Sequence, residues 1–479
     1  MKYAWFVLAI IGARFAVTAV DFPAGDGDLA WQRWLGRTIL RTHRIPRALG
    51  AESFAAVGSH WTPQEWAFGI GAALGTAGLP WTIFALCVAG CAILALVLVA
   101  YRAVRRQANP VAVAIVVAAT ALAMFESFGV RAQVVAWPML ALLLLTLDNE
   151  GPWLWAAVPV AALWSNLHAS AMLAPLLAGA TAVGRLSEDR AWTPRVKRTF
   201  AVTVATVLAI CCNPFGIGLP EYALSLFASP IKGYISEWEP TNVSMLSFAL
   251  GALPLLLAAV GLGVVTRRFR ADALVFAAFT FLLFFAARNI AIFSIATAPL
   301  VAVAATRAFD LATQSDEPEH LRWIGRYAIP AFAMVLAVVV GIGLYRSQER
   351  TEVTMPYKEI AALSSMPGDH RIFCADFAWC SFFIGIPHQS VFLDGRADPY
   401  PVSVWKDFAT IAFLQQHWRE RLAAQRINAL IAERGKPLDQ ALRLIGWRQV
   451  TQDKKFRLWV LPDQTLDSRT AGVRLPNGG

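Results

Sequence analysis

Two carboxylates, Asp26 and Asp28, stand two residues apart in a glycine-rich turn, and a row of arginines at Arg33, Arg37, Arg41 and Arg44 follows at roughly helical spacing. A carboxylate can take the proton of an attacking hydroxyl in sugar transfer, and a guanidinium grips phosphate through its planar fork of donors. The stretch Asp21 to Trp66 that holds both groups follows directly on the first apolar segment, so acid chemistry and phosphate affinity lie side by side at a membrane surface. Each feature has a plainer reading. Asp28 precedes Leu29-Ala30-Trp31-Gln32 as a helix N-cap would, and the arginines could grip the anionic headgroups of bulk lipid. Asp26 and Asp28 could also hold a divalent ion such as Mg or Mn, but acid pairs in turns are common and no metal site is assigned to them.

The elements that must position these groups are membrane helices. Of 479 residues 57% are hydrophobic and only 15% charged, which excludes an ordinary soluble protein. A formal charge of +10 would suggest nucleic acid in a soluble chain. Here the basic residues fall in the short links between apolar runs, so they read as topology and lipid contact, with no nucleic-acid partner. Runs long enough to cross a bilayer occur at Tyr3–Val20, Trp81–Tyr101, Pro110–Ser127, Gln133–Leu147, Trp153–Leu167, Ala169–Gly184, Thr199–Cys212, Leu246–Val265, Ala271–Ala287, Asn289–Thr306 and Tyr327–Tyr345. The first lacks a small-residue cleavage site and reads as a retained helix. Trp66 to Gly78 is brief and reads as an interfacial or re-entrant helix.

With the amino terminus in the cytoplasm, about eleven spans put Arg102–Arg106, Arg185–Arg198, Arg267–Arg270 and Arg307–Arg326 all inside, and everything from Arg346 outside. Polar residues at the outer span ends are then pocket candidates, because polar groups at membrane depth are costly and tend to be functional. They are Glu126, Arg131 and Gln133, then Asn166 and His168, then Asn213 with Glu237-Trp238-Glu239, then Arg288 with Asn289. All would face the side that carries Asp26 and Asp28. For charge developing on a phosphate leaving group Arg288 is the first choice and Arg131 the second, with snorkelling as the plain alternative. Trp238 could stack on a sugar ring; His168 is a pocket residue only.

From about Met366 the chain changes character. RIFCADFAWCSFF and SVFLDGRADPY are followed by helix-like VWKDFATIAFL, a short INALIAE, a helix at Leu438–Leu444 and a hairpin in GWRQVTQDKKFRLWVL. These alternations predict a small extracytoplasmic α/β domain. The boundaries drawn are a transmembrane domain over 1–345, including a first outer loop at 21–80, and the α/β domain over 346–479. Asp394-Gly395-Arg396 reads as a turn after a strand in which Asp394 and Arg396 pair locally. Cys374 and Cys380 are spaced so that a disulfide is permitted; the other four cysteines lie in apolar runs as packing residues.

The ordered set GDLAWQRWLGRTIL, RIPRALGAESF, HWTPQEW, RAQVVAWPML, WSNLHASAMLAPL, NPFGIGLPEYALSL, SEWEP, ARNIAIFSIATAPL and VFLDGRADPY resembles a group of mostly uncharacterised bacterial integral membrane proteins related to the GT-C superfamily of glycosyltransferases. The resemblance covers nearly the whole chain. It implies a GT-C-like polytopic helical fold in the bacterial inner membrane, a polyprenyl-phosphate or polyprenyl-diphosphate sugar donor, and transfer on the outer side. It also implies an acid in the first outer loop acting as base or metal ligand. Carried over, that acid is Asp28, with Asp26 beside it, and Arg288, Arg131, Arg33 and Arg37 are the candidates for the donor phosphate. Where many members of the group read IP and then DPFS, this chain has Ile45-Pro46 and then Ala51-Glu52-Ser53-Phe54, so that Asp is missing.

The activity expected is therefore transfer of a sugar from a polyprenyl carrier to an extracytoplasmic glycan or lipid. A polysaccharide polymerase or ligase is the nearest alternative. A non-enzymatic lipid or glycan transporter, or an envelope-complex partner, is the third, and it alone tolerates neutral residues in place of the first-loop acids.

Overall fold

The computed structural model describes residues 2–22, 26–75, 78–261, 270–314, 355–451 and 453–462. The run Tyr327–Tyr345 lies outside them; the other ten apolar runs are wholly or mainly helical. The chain forms two compact units whose division differs from the boundaries drawn above. One comprises Met1–Phe22 and Leu74–Glu352, the other Pro23–Ala73 and Val353–Gly479. The first loop thus folds with the carboxyl-terminal segment.

The first unit is helical: α1 (Lys2–Val20), α4 (Leu79–Arg105), α5 (Pro110–Phe125), α6 (Ala132–Leu147), α7 (Ala157–Ser165), α8 (Leu173–Asp189), α9 (Pro194–Ala209), α10 (Gly218–Ala228), α11 (Leu253–Gly261), α12 (Arg270–Phe285) and α13 (Ile290–Gln314). Among the described residues three helices, Leu79–Arg105, Ala169–Asp189 and Ala287–Asp310, are long and apolar enough to cross a membrane, and five shorter apolar helices accompany them. α4 shows how such a helix is sorted without a polar face. Ala85, Ala89, Ala92 and Ala95 are fully buried, while Ile83, Leu86 and Leu94 stay exposed. Small residues bring the helices close, and the large apolar ones suit lipid.

Ion pairs tie the helix ends together and report the alternation of the chain. At one end Arg102 Nε donates to Asp148 Oδ2 at 2.8 Å and Arg106 Nη2 to Asp148 Oδ1 at 2.5 Å, while Arg106 Nη1 reaches Asp272 Oδ2 at 2.8 Å. Arg185 donates to the carbonyls of Leu147 and Asn149, and Arg195 pairs with Glu188 and Glu150. The ends of α4, α6 and α8 and the start of α12 therefore meet. Arg102–Arg106 and Arg185–Arg198 share one end, as the alternation requires. At the opposite end Glu126 accepts from Ser247 N and Oγ at 3.0 and 2.6 Å, and the Asn166 amide donates to Cys212 O at 2.9 Å.

The second unit is built on a five-stranded mixed sheet of order β2-β1-β3-β5-β4: β1 (His370–Cys374), β2 (Gln389–Val391), β3 (Ala429–Glu433), β4 (Arg448–Gln449) and β5 (Phe456–Val460). β1 runs parallel to β2 and β3, and β5 is antiparallel to β3 and β4, so the final hairpin is present. α14 (Tyr357–Ser364), α15 (Phe377–Cys380), α16 (Val402–Ala412), α17 (Trp418–Ala424) and α18 (Pro437–Leu444) complete the carboxyl-terminal part. A disulfide joins Cys374 and Cys380.

The loop joins this unit through α2 (Gly27–Thr42). Trp31, Leu35 and Ile39, four residues apart, form one apolar stripe and enter the core of Ile372, Phe383, Val391, Ile431 and Leu458. Arg33, Arg37 and Arg41 fall on another face; Arg44 lies past the C-cap His43. α3 (Trp66–Leu74) is nine residues long, about 13 Å at the α-helical rise, and packs on α2. The crossing depends on Gly36, where a Cβ would lie 1.9 Å from the Gly69 carbonyl oxygen and 2.8 Å from Ala73 Cβ. Gly36→Val is expected to destabilise this unit by at least about 2 kcal/mol through overpacking, read as a lowered unfolding midpoint of the purified protein.

Candidate active site

The start of α2 sets its two acids apart. Asp26 caps the helix, its Oδ1 accepting from Asp28 N at 2.9 Å and Leu29 N at 3.3 Å. The cap position expected of Asp28 thus belongs to Asp26, and Asp28 occupies the first turn. Its carboxylate is half-buried, and Oδ1 accepts from Trp31 Nε1 at 3.4 Å. It lies against the Asp394-Gly395-Arg396 turn: a Cβ at Gly395 would sit 3.3 Å from Asp28 Oδ1 and 2.8 Å from Ser381 Oγ. Ser381 Oγ accepts from Gly395 N at 2.9 Å, fixing the turn. Gly27 packs on Ala378, where Asp376 caps α15 by accepting from Ala378 N at 2.9 Å.

Beneath the turn is a buried polar cluster. Arg396 donates from Nε to Asp394 Oδ1 at 2.9 Å and from Nη2 to Asp394 Oδ2 at 2.7 Å, so the local pairing is present. Arg396 Nη1 reaches Glu52 Oε1 at 3.1 Å and Nη2 donates to Ser53 Oγ; Tyr400 donates its hydroxyl proton to Asp394 Oδ2. The Arg396 guanidinium lies 5.2 Å from the Trp34 ring centroid and 5.0 Å from that of Trp61. Burial alone would raise the Asp394 carboxyl, but the charge and hydrogen bonds of Arg396, with Tyr400, hold it below its ordinary value. Glu52 and Ser53 supply the side-chain oxygens in the segment where the resemblance leads one to look for an Asp. Strand-then-DGR was the visible signal for this turn; its contact with a helix more than 350 residues earlier was not visible.

Arg33, Arg37 and Arg41 line a cleft of about 460 Å³ on the far side of Trp34, closed by the 381–386 segment. Gly385, at φ +84°, is where that segment meets the Trp34 ring; a Cβ there would be 2.5 Å from Trp34 Cδ1.

In the helical unit the predicted pocket residues fall into two groups. Gln133, Asn166, Asn213 and Asn289 use their side-chain amides on backbone carbonyls, of Ser127, of Ala162 and Cys212, of Ile210, and of Leu282. They pin span ends. The others converge. Arg131 Nη1 pairs with Glu237 Oε1 at 2.5 Å, the Arg288 guanidinium lies 5.8 Å from the Trp238 ring centroid, and Ala287 N donates to Glu239 O at 2.9 Å. His168, buried, hydrogen-bonds Ser170 through Nδ1 at 2.7 Å, within electrostatic range of Arg288. Arg288 has no carboxylate partner among the described residues, whereas Arg131 is neutralised by Glu237.

No group of three or more His, Cys, Asp or Glu able to hold a metal occurs among the described residues. Asp26 Oδ1 is engaged as a cap and Asp28 Oδ1 by the Trp31 indole.

The fold is that of the GT-C glycosyltransferases. The chain is similar to the archaeal oligosaccharyltransferase AglB from Archaeoglobus fulgidus, solved with an inhibitory peptide and a dolichol-phosphate. That match has a TM-score of 0.59 and 13% identity over 90% of this chain and 69% of that one. ArnT from Cupriavidus metallidurans, in the apo state, matches with a TM-score of 0.54 and 14% identity over 96% of this chain and 97% of its own. The Archaeoglobus enzyme in complex with Zn and sulfate matches at 0.50 and 12%, over 89% and 68%. By sequence, no family model and no curated protein matches.

Proposed function

We propose that this chain is an integral membrane glycosyltransferase that moves a sugar from a polyprenyl-phosphate carrier to a glycan or lipid acceptor outside the cytoplasm. The observation that carries the reading is the placement of Asp28, in a chain with the GT-C fold. It is an acid of the first loop, released from capping by Asp26 and held by Trp31 beside a rigid turn. The dolichol-phosphate bound to AglB supports a lipid-phosphate donor, and the Cys374–Cys380 bond supports an oxidising, extracytoplasmic setting for its unit.

In this reading Asp28 takes the proton of the acceptor hydroxyl as its oxygen attacks the anomeric carbon, and the carrier phosphate departs with the bonding pair. Within the helical unit, taken by itself, Arg288 is the arginine kept as a candidate for anion contact, since Arg131 pairs with Glu237, and no step is assigned to a divalent cation. The test is turnover of a panel of labelled polyprenyl-phosphate sugars by the purified protein in lipid, supplied with an envelope glycan and lipid fraction as acceptor. Consumption of one donor with label appearing in the acceptor is expected. No transfer from any donor on the panel would sink the reading.

A further inference from the structure

The cleft along α2 has a row of guanidiniums on one helix and aromatic side chains beside them. Arg33, Arg37 and Arg41 stand at successive turns of the helix and present a row of positive charge about 12 Å long, from the α-helical rise. Among the described residues no Asp or Glu lines the cleft. Arg37 and Arg41 are exposed, and neither has an ion-pair or hydrogen-bond partner for its side chain among the described residues. Burial, and next the charge of Arg37, lower the pKa of Arg33, so the row repels itself and an anion laid along it would relieve the repulsion. The walls are also suited to sugar. Trp34 and Phe382 offer ring surface, and Thr38 offers a hydroxyl.

We propose that this cleft binds an acidic oligosaccharide, a glycan with carboxylate or phosphate groups repeated along its length. A single headgroup phosphate would engage one or two of the guanidiniums; a row this long, mixed with aromatic faces and a hydroxyl, matches charges recurring along a saccharide. That the bound glycan is the acceptor rests on the transfer reading; the binding itself does not.

The test uses the full chain in nanodiscs of neutral phosphatidylcholine, titrated with hexagalacturonic acid and, as a neutral control, maltohexaose. The acidic hexamer is expected to bind, with affinity falling steeply as salt rises, and the neutral one not to bind. Arg37→Gln/Arg41→Gln should weaken the acidic hexamer at least ten-fold with the unfolding midpoint unchanged, since both side chains are exposed. Equal binding by the double variant, or equal binding of maltohexaose, overturns the proposal. So does a variant that loses affinity only for vesicles containing anionic lipid, which would give the row to the bilayer. Hexamer binding with no sugar transfer from any donor would uphold the site while removing the transfer reading, so the two failures are separable.

Discussion

Asp28→Asn is expected to reduce sugar transfer by roughly 10²- to 10⁴-fold, the range typical of losing a positioned general base, while leaving fold and donor binding in place. The amide keeps the shape of the side chain and can still meet the Trp31 indole through its oxygen, but it cannot take a proton at neutral pH. The neighbouring acid provides the contrast. Asp26→Asn keeps an N-capping side chain and should cost less than about 1 kcal/mol, and Asp26→Ala about 1 kcal/mol, of stability, with transfer largely retained. Turnover and thermal unfolding of the three variants decide the matter. Full activity in Asp28→Asn would make that residue structural and leave the reaction without its base.

Arg396→Ala is expected to destabilise the mixed unit by about 3–5 kcal/mol, because it leaves the Asp394 carboxylate fully buried and uncompensated. Arg396→Lys should not restore stability: one ammonium cannot span Asp394, Glu52 and Ser53 while lying against the Trp34 and Trp61 rings. Replacing Asp394 and Arg396 together by apolar residues should cost less than Arg396→Ala alone, since no charge is stranded. Chemical unfolding of the purified variants measures all three. The pH dependence has a definite sign. Asp394 is held below its ordinary value in the folded state, so its contribution is present above the unfolded-state value and fades as pH falls through the lowered one.

Much of this arrangement could be read from residue spacing. Arginines at every fourth position from Arg33 to Arg41, interleaved with Trp31, Leu35 and Ile39, are an amphipathic helix in either context, and the structure has it. The strands after Met366 and the helices at VWKDFATIAFL and Leu438–Leu444 follow from apolar and aromatic runs bounded by turn residues; the short helices Phe377–Cys380 and Trp418–Ala424 and the pairing of the strands were not read there. What escaped are facts settled by distant partners. Asp26 and Asp28 are equally good cap residues by type, and the choice rests on where the helix begins. Trp66 to Gly78 has the composition of an interfacial helix; that Gly69 meets Gly36 of α2 was not legible in it. The amides at the span ends were visible as polar residues at membrane depth; which carbonyls Gln133, Asn166, Asn213 and Asn289 donate to, Cys212 O for Asn166 among them, was not. The outer-loop boundary was placed by hydropathy, which registers where the chain leaves the apolar phase and not what it later packs upon.

The mixed unit draws its core from both ends of the chain, and that imposes an order on biogenesis. Trp31, Leu35 and Ile39 emerge from the ribosome early, while Ile372, Ile431 and Leu458, which cover them, are made more than 300 residues later. At elongation rates of about 5–20 residues per second this is a wait of roughly fifteen seconds to a minute. Throughout it the apolar stripe of the first loop lacks its native cover, a standing client for the membrane surface or a holding chaperone. The carboxylate of Asp28 likewise lacks its turn until Gly395 has been made. A chain interrupted between the two segments would therefore carry the first-loop acid without the turn it packs against.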